Sequence, residues 1–193
     1  MKKLFTATLF FFSIMISSFS QDKPVHKWEV YPLVFKAKGQ YANPYADIPV
    51  ENSGDLMKVI FNGIDGEAEN STIEVVGCWN GGNQWKVNFA APFSGTWKYT
   101  SVSKDDGLNG KTGTIRVEEW SSDELKSNPT RRGLIRVRKT GENSGHYFEY
   151  ADGQSFLWVG DTWWNWTQQS IHFETFQKLV DDRAEKGFTV GQL

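Results

Sequence analysis

The chain has 193 residues, a formal net charge of −2 and a single cysteine. So nearly neutral a chain gives no electrostatic reason to expect nucleic acid or an anionic membrane surface as a partner. One thiol excludes an internal disulfide and any cysteine-rich metal site. Nine tryptophans raise carbohydrate as a ligand class, although indole fills cores as readily as it meets sugar rings.

The first segment reads as a targeting signal. Lys2 and Lys3 form a basic head, "LFTATLFFFSIMISSF" is an uncharged apolar run, and small Ser18 and Ser20 precede Gln21. This pattern predicts a cleaved secretory signal over residues 1–21, since the run is shorter than the ~20 apolar residues of a spanning helix. The mature protein is therefore expected in the periplasm or outside the cell, with no stable membrane insertion after cleavage.

From Trp28 to Trp120 the chain predicts short strands separated by turn signals. In order they are "KWEVYPLVF", "DIPVEN", "DLMKVIFNGI", "STIEVVGCW", "NQWKVNFAA", "GTWKYTSVS" and "TGTIRVEEW". Trp85, Val87 and Phe89 alternate with Lys86 and Asn88, the period of a strand with one buried face. Trp97 and Tyr99 alternate around Lys98, and Ile115 and Val117 around Arg116. Asn-Gly at 62–63, Asp-Gly at 65–66, Gly81-Gly82 and Ser94-Gly95 punctuate the runs. Residues 22–122 are accordingly expected to form an immunoglobulin-like β-sandwich. Cys78, which follows the apolar run "IEVVG", is expected to be a buried, inert thiol.

The polar segment 121–132, with Pro129, reads as the boundary of this domain. Beyond it, "GLIRVRK" and "HYFEY" predict strands, and Asp152-Gly153 turns the chain into a strand "SFLWVG". The basic residues of "RRGLIRVRK" read as a solvated face. A helix follows, with Ser170 as N-cap and Glu174 near the first turn, where its charge suits the helix dipole. Phe173, Phe176, Leu179, Val180 and Arg183 share one face, and Gly187 is a natural stop. "FTVGQL" resumes strand character. Strand, helix and strand make one βαβ unit, which requires parallel pairing. A (β/α)8 barrel takes ~250 residues, so residues 123–193 are expected to hold a linker hairpin and only the start of a TIM barrel.

Two stretches carry a family resemblance. "VVGCWNGGNQWKVNFAAPFSGTWKYTSVS" resembles a sandwich domain of unknown function that precedes glycoside-hydrolase-like catalytic domains in bacteria. The match runs through Trp85, Phe89, Gly95, Trp97 and Tyr99. "RGLIRVRKTGENSGHYFEYADGQSFLWVGDTWW" resembles the junction into an apiosidase-like catalytic barrel, through Gly133 to Val137, Tyr147 to Gly153 and Phe156 to Trp163. The resemblance implies hydrolysis of glycosidic bonds in complex, plant-type polysaccharide. It also implies an acid/base carboxylate after the fourth barrel strand and a nucleophile after the seventh, both beyond Leu193. Retaining hydrolysis needs two carboxyls ~5–5.5 Å apart. Glu174, Asp181, Asp182 and Glu185 are expected on the outer helix, so no catalytic residue is assigned.

The candidate binding residues lie in "FLWVGDTWWNW". Asp161, at the C-terminal end of the first barrel strand, could accept hydrogen bonds from two sugar hydroxyls. It could equally cap the following turn through the Trp163 N–H. Trp163, Trp164 and Trp166 could wall a sugar pocket or pack inside. His146 and His172 have no partner at ligand spacing, and no cofactor or metal site is expected. The rival reading is a non-catalytic carbohydrate-binding or structural sandwich, for which exposed, coplanar tryptophans would speak.

Overall fold

A computed structural model describes residues 24–43, 57–142, 144–166 and 168–192. The expected signal (1–21) and the expected strand "DIPVEN" lie outside the described residues. The described structure is mostly β and divides into two compact units. Of the described residues, the first comprises Pro24–Val25, Tyr31–Asn43, Met57–Phe89 and Phe93–Glu118; the second comprises His26–Val30, Ala90–Pro92 and those from Glu119 onward.

Among the described residues, eight strands appear before residue 119: β1 (Val25–His26), β2 (Val30–Lys36), β3 (Met57–Gly63), β4 (Thr72–Val76), β5 (Cys78–Trp79), β6 (Gln84–Ala90), β7 (Gly95–Ser103) and β8 (Thr112–Glu118). They form one sheet of order β1-β8-β7-β3-β4 and another of order β2-β6-β5. The alternation read from the sequence is the alternation of burial. Trp85, Val87 and Phe89 are enclosed, as are Trp97, Ile115 and Val117, while Asn88 and Arg116 face outward. Rings from the two sheets meet in the core. Phe61 of β3 stacks on Phe89 of β6 with centroids 3.8 Å apart, and Phe89 meets the Trp97 ring edge-on at 5.3 Å. Two such sheets closing on one apolar layer are the arrangement expected of a sandwich.

Gly77 explains why "STIEVVGCW" is two strands rather than one. β4 belongs to the larger sheet and β5 to the smaller, and Gly77 stands where the chain crosses between them. A Cβ there would lie 3.2 Å from both the Met57 sulfur and a Val87 methyl. The crossing also reverses the expectation for Cys78. It stands in the outermost strand of the smaller sheet, opposite Lys86, and is exposed rather than buried.

Asp105 ties two loops of this unit together. It is 6% exposed, and its Oδ1 accepts the backbone N–H of Lys38 (2.9 Å) and of Gly107 (2.7 Å). Its Oδ2 accepts the Gly39 N–H at 3.3 Å and the Tyr41 hydroxyl. Burial opposes the charge, but these donors from Tyr41, Lys38, Gly39 and Gly107 together outweigh it and hold the carboxyl at about 2.

In the second unit the segment read as a polar linker is helical. The helix α1 (Ser122–Ser127) opens on a capping box: Ser121 Oγ accepts the Glu124 N–H, and the Glu124 carboxylate accepts the Ser121 N–H at 2.9 Å. A 3₁₀ turn, Pro129–Arg132, follows with Asn128 as its cap. The Trp120 indole donates to the Lys27 carbonyl at 2.7 Å, stacks on His26 at 4.0 Å and lies 4.4 Å from the Arg131 guanidinium.

Next come β9 (Arg136–Val137), β10 (Phe148–Glu149) and β11 (Ser155–Phe156), an antiparallel sheet of order β11-β10-β9. The basic run is not merely a solvated face. Arg136 and Arg138 each donate through Nε to a different oxygen of buried Glu149, at 3.0 and 3.1 Å. Arg132 pairs with Asp152 at 2.6 Å.

"SFLWVG" is likewise not one strand. Its first half, β11, pairs antiparallel with β10, and the chain re-enters a strand only at β12 (Gly160–Thr162). After the helix α2 (Phe173–Glu185), β13 (Val190–Gln192) pairs with β12 in parallel. The stretch changes partner midway, so its middle belongs to neither ladder. The N-cap of α2 is His172 rather than Ser170. His172 has extended backbone and its carbonyl receives the N–H of Thr175 and Phe176, which leaves Ser170 in the turn before it. Gly187 ends the helix as expected, at φ 81°, with its N–H on the Ala184 carbonyl and that of Phe188 on Arg183.

Candidate functional site

The parallel pair β12–β13 fixes the surroundings of Asp161. Gly160 stands opposite Val190, Asp161 opposite Gly191 and Thr162 opposite Gln192. Asp161 Oδ2 accepts Nε–H of Arg183 on α2 at 2.9 Å, and Oδ1 accepts the Thr162 N–H at 2.9 Å. The Arg183 hydrogen bond, aided by that from Thr162, holds the Asp161 carboxyl below the usual range. A carboxyl so held is ionised at neutral pH and unsuited to donate a proton. Arg183 continues the network to Asp182 at 2.5 Å, which Lys186 also meets at 2.6 Å.

The four candidate residues are not brought into one wall. Trp163 turns to the helix, its ring meeting Phe176 edge-on at 5.9 Å. Gly191 leaves room for that ring: a Cβ there would lie 2.5 Å from it. The Trp163 backbone N–H donates to the Gln192 carbonyl at 2.7 Å, so Asp161 does not cap the turn through it. The Trp163 indole N–H is buried and completes no hydrogen bond, although its dipole adds a weaker favourable contact with the Asp161 carboxylate. Trp164 is 85% exposed and Trp166 half-buried in the turn that follows.

A depression of about 160 Å³ at this end of the strands is lined by Trp158, Gly160, Asp161, Thr162, Val190 and Gln192. Sequence reasoning missed Trp158, Thr162 and Gln192, although period-two spacing from Gly160 would have placed Trp158 and Thr162 on one face. A larger cavity of about 720 Å³ in the same unit is walled mainly by apolar residues, among them Leu134, Ile135, Phe156 and Phe188. It has no carboxylate. Among the described residues, no group of three or more His, Cys, Asp or Glu is placed to hold a metal ion, and no helix is long and apolar enough to cross a membrane.

In the first unit Trp85 and Trp97 are fully enclosed, while Trp79 is 41% exposed on the edge strand β5 and donates to the Gly82 carbonyl. No row of coplanar indoles stands on either sheet among the described residues.

The βαβ geometry coincides with a family match. Residues 142–193 match the apiosidase-like catalytic domain. Residues 24–104 match a domain of unknown function, DUF5060. The chain thus resembles an apiosidase-like glycoside hydrolase preceded by that domain. A solved structure from Bacteroides vulgatus ATCC 8482, described as a "putative glycoside hydrolase", is 25% identical and superposes with a TM-score of 0.65. The superposition covers 87% of this chain and 27% of that one, so the chain spans about a quarter of its relative's length. No curated protein matches the chain.

Proposed function

We propose that this chain is the N-terminal part of a secreted glycoside hydrolase acting on complex, plant-type polysaccharide. Residues 22–122 form an accessory domain of immunoglobulin type, and residues 123–193 lead into a (β/α)8 barrel. The observation that carries this reading is the parallel β12–α2–β13 unit within the residues that match the apiosidase-like catalytic domain. Parallel strands joined by a helix are the repeating unit of such a barrel, and barrel sites form at the C-terminal ends of the strands. In this reading Thr162 stands at such an end, with Gln192 beside it in the parallel register. Exposed Trp164, just past that end, is suited to stack on a sugar ring.

Hydrolysis then belongs to the whole protein rather than to these residues alone, since the relative is much longer. Asp161 is engaged by Arg183, and Asp182 by Arg183 and Lys186, so neither forms a free catalytic pair. The test is to assay purified residues 21–193 beside the product of the full reading frame on aryl glycosides and plant polysaccharides. The expected outcome is turnover by the full-length product alone. Hydrolysis by residues 21–193, abolished by a change within 133–193, would contradict the proposal.

A further inference from the structure

Side chains of a strand alternate between its two faces, so the partner of one residue assigns the face of its neighbours. Asp161 bonds Arg183 of α2, and Trp163, two residues on, packs on Phe176 of the same helix. The odd-numbered positions of β12 therefore face the helix. Gly160 and Thr162 face away from it, and the parallel register puts Val190 and Gln192 beside them. These residues, with Trp158 and part of Asp161, line the depression.

The chemistry of this second face differs from that of the first. It offers an indole N–H, a hydroxyl and a carboxamide, all neutral, and the one carboxylate at its edge, Asp161, already accepts from Arg183 and the Thr162 N–H. Among the described residues neither the Thr162 hydroxyl nor the Gln192 carboxamide is hydrogen-bonded, and both side chains are exposed. Gly160 gives the indole its place, since a Cβ there would lie 3.2 Å from Trp158 Nε1. Thr162 is also the last residue of its strand, and Gln192 stands beside it in the register. Neutral donors and acceptors beside a carboxylate that Arg183 already holds suit an uncharged polyol better than an anion or a cation. The depression's volume of about 160 Å³ is below the ~300–1,000 Å³ of complete ligand pockets, so it forms one wall of a site.

Resting on the glycoside hydrolase reading above, we infer that Thr162 and Gln192 hydrogen-bond substrate sugar hydroxyls, with the Trp158 indole beside them, while Asp161 positions the helix behind that wall. The experiment uses the full-length protein and the substrate it turns over best among plant cell-wall polysaccharides and p-nitrophenyl glycosides. Thr162→Val and Gln192→Leu should each raise KM about 3- to 10-fold, the loss of one neutral hydrogen bond, with the melting temperature kept. Thr162→Ser, which keeps the hydroxyl, should restore the parent KM. Unchanged KM in both Val and Leu variants would overturn this assignment and leave the hydrolase reading standing. If the parent hydrolyses nothing, titration calorimetry with the same polysaccharides decides. Binding lost in the two variants supports the assignment, binding retained overturns it, and no binding by the parent overturns both.

Discussion

The two units hold themselves together in different ways. In the first, Phe61, Trp85, Phe89 and Trp97 are at most 1% exposed, and Phe61, Phe89 and Trp97 pack ring against ring between two sheets. In residues 119–192, Phe156 is the one buried apolar side chain among those described, and α2 buries none of its residues. That region is fastened by charge instead: Glu149 between Arg136 and Arg138, Asp152 on Arg132, Asp161 on Arg183. Apolar burial is worth about 25 cal/mol per Å² and needs no exact geometry, whereas ion pairs near the surface contribute ~0–1 kcal/mol each and a buried carboxylate such as Glu149 must first offset its desolvation. The first unit can thus be stable through its own core, while the second specifies an arrangement more than it stabilises one.

The largest expected effect tests this contrast directly. Trp97→Ala should cost about 3–5 kcal/mol in urea denaturation, because it empties an enclosed indole site and strands the Phe93 carbonyl that Trp97 Nε1 meets at 3.1 Å. Trp164→Ala, at an 85% exposed position, should change stability by less than about 0.5 kcal/mol. Equal losses at the two tryptophans would erase the difference between the units.

A smaller effect sharpens it through pH. Asp105 has its folded pKa depressed to about 2 from an ordinary 3.8. Its contribution is therefore fully present above about pH 4 and is lost as pH falls through 2, because protonation is easier in the unfolded chain. It amounts to about 2 kcal/mol. The urea midpoint of the first unit should fall between pH 4 and 2, and Asp105→Asn should be less stable at pH 7 yet lose less over that window. A parent midpoint flat from pH 4 to 2 would show that the loops at 38–41 and 103–111 do not depend on this carboxylate.

How much of this could be read from the sequence follows the same division. Strands of the first unit were legible because alternation such as Trp85-Lys86-Val87-Asn88-Phe89 reports burial directly. Cys78 was misplaced because an apolar run looks the same whether or not Gly77 sends it across to the other sheet. In the second unit, Ser121 and Glu124 at capping-box spacing announced α1 but sat inside a segment whose polarity suggested a linker. The parallel pairing was legible from the spacing of "GDT", the helix and "FTVGQL". Asp161 was legible as a notable carboxylate, but its partner Arg183 lies 22 residues away, and no local pattern reports a pair formed by a helix folding back. With that partner missing, the face of Thr162 and Gln192 could not be assigned.

The two faces of β12 rest on the bond between Asp161 and Arg183, and a double-mutant cycle measures it most directly. Melting temperatures of the full-length parent, Asp161→Asn, Arg183→Gln and the double variant would be compared at low salt, where screening is weakest. The account predicts that each single change lowers the melting temperature and that the double change lowers it by less than the sum of the two. Strictly additive shifts would mean that Asp161 is not held by the helix, and would return its carboxylate to the substrate side of the strand.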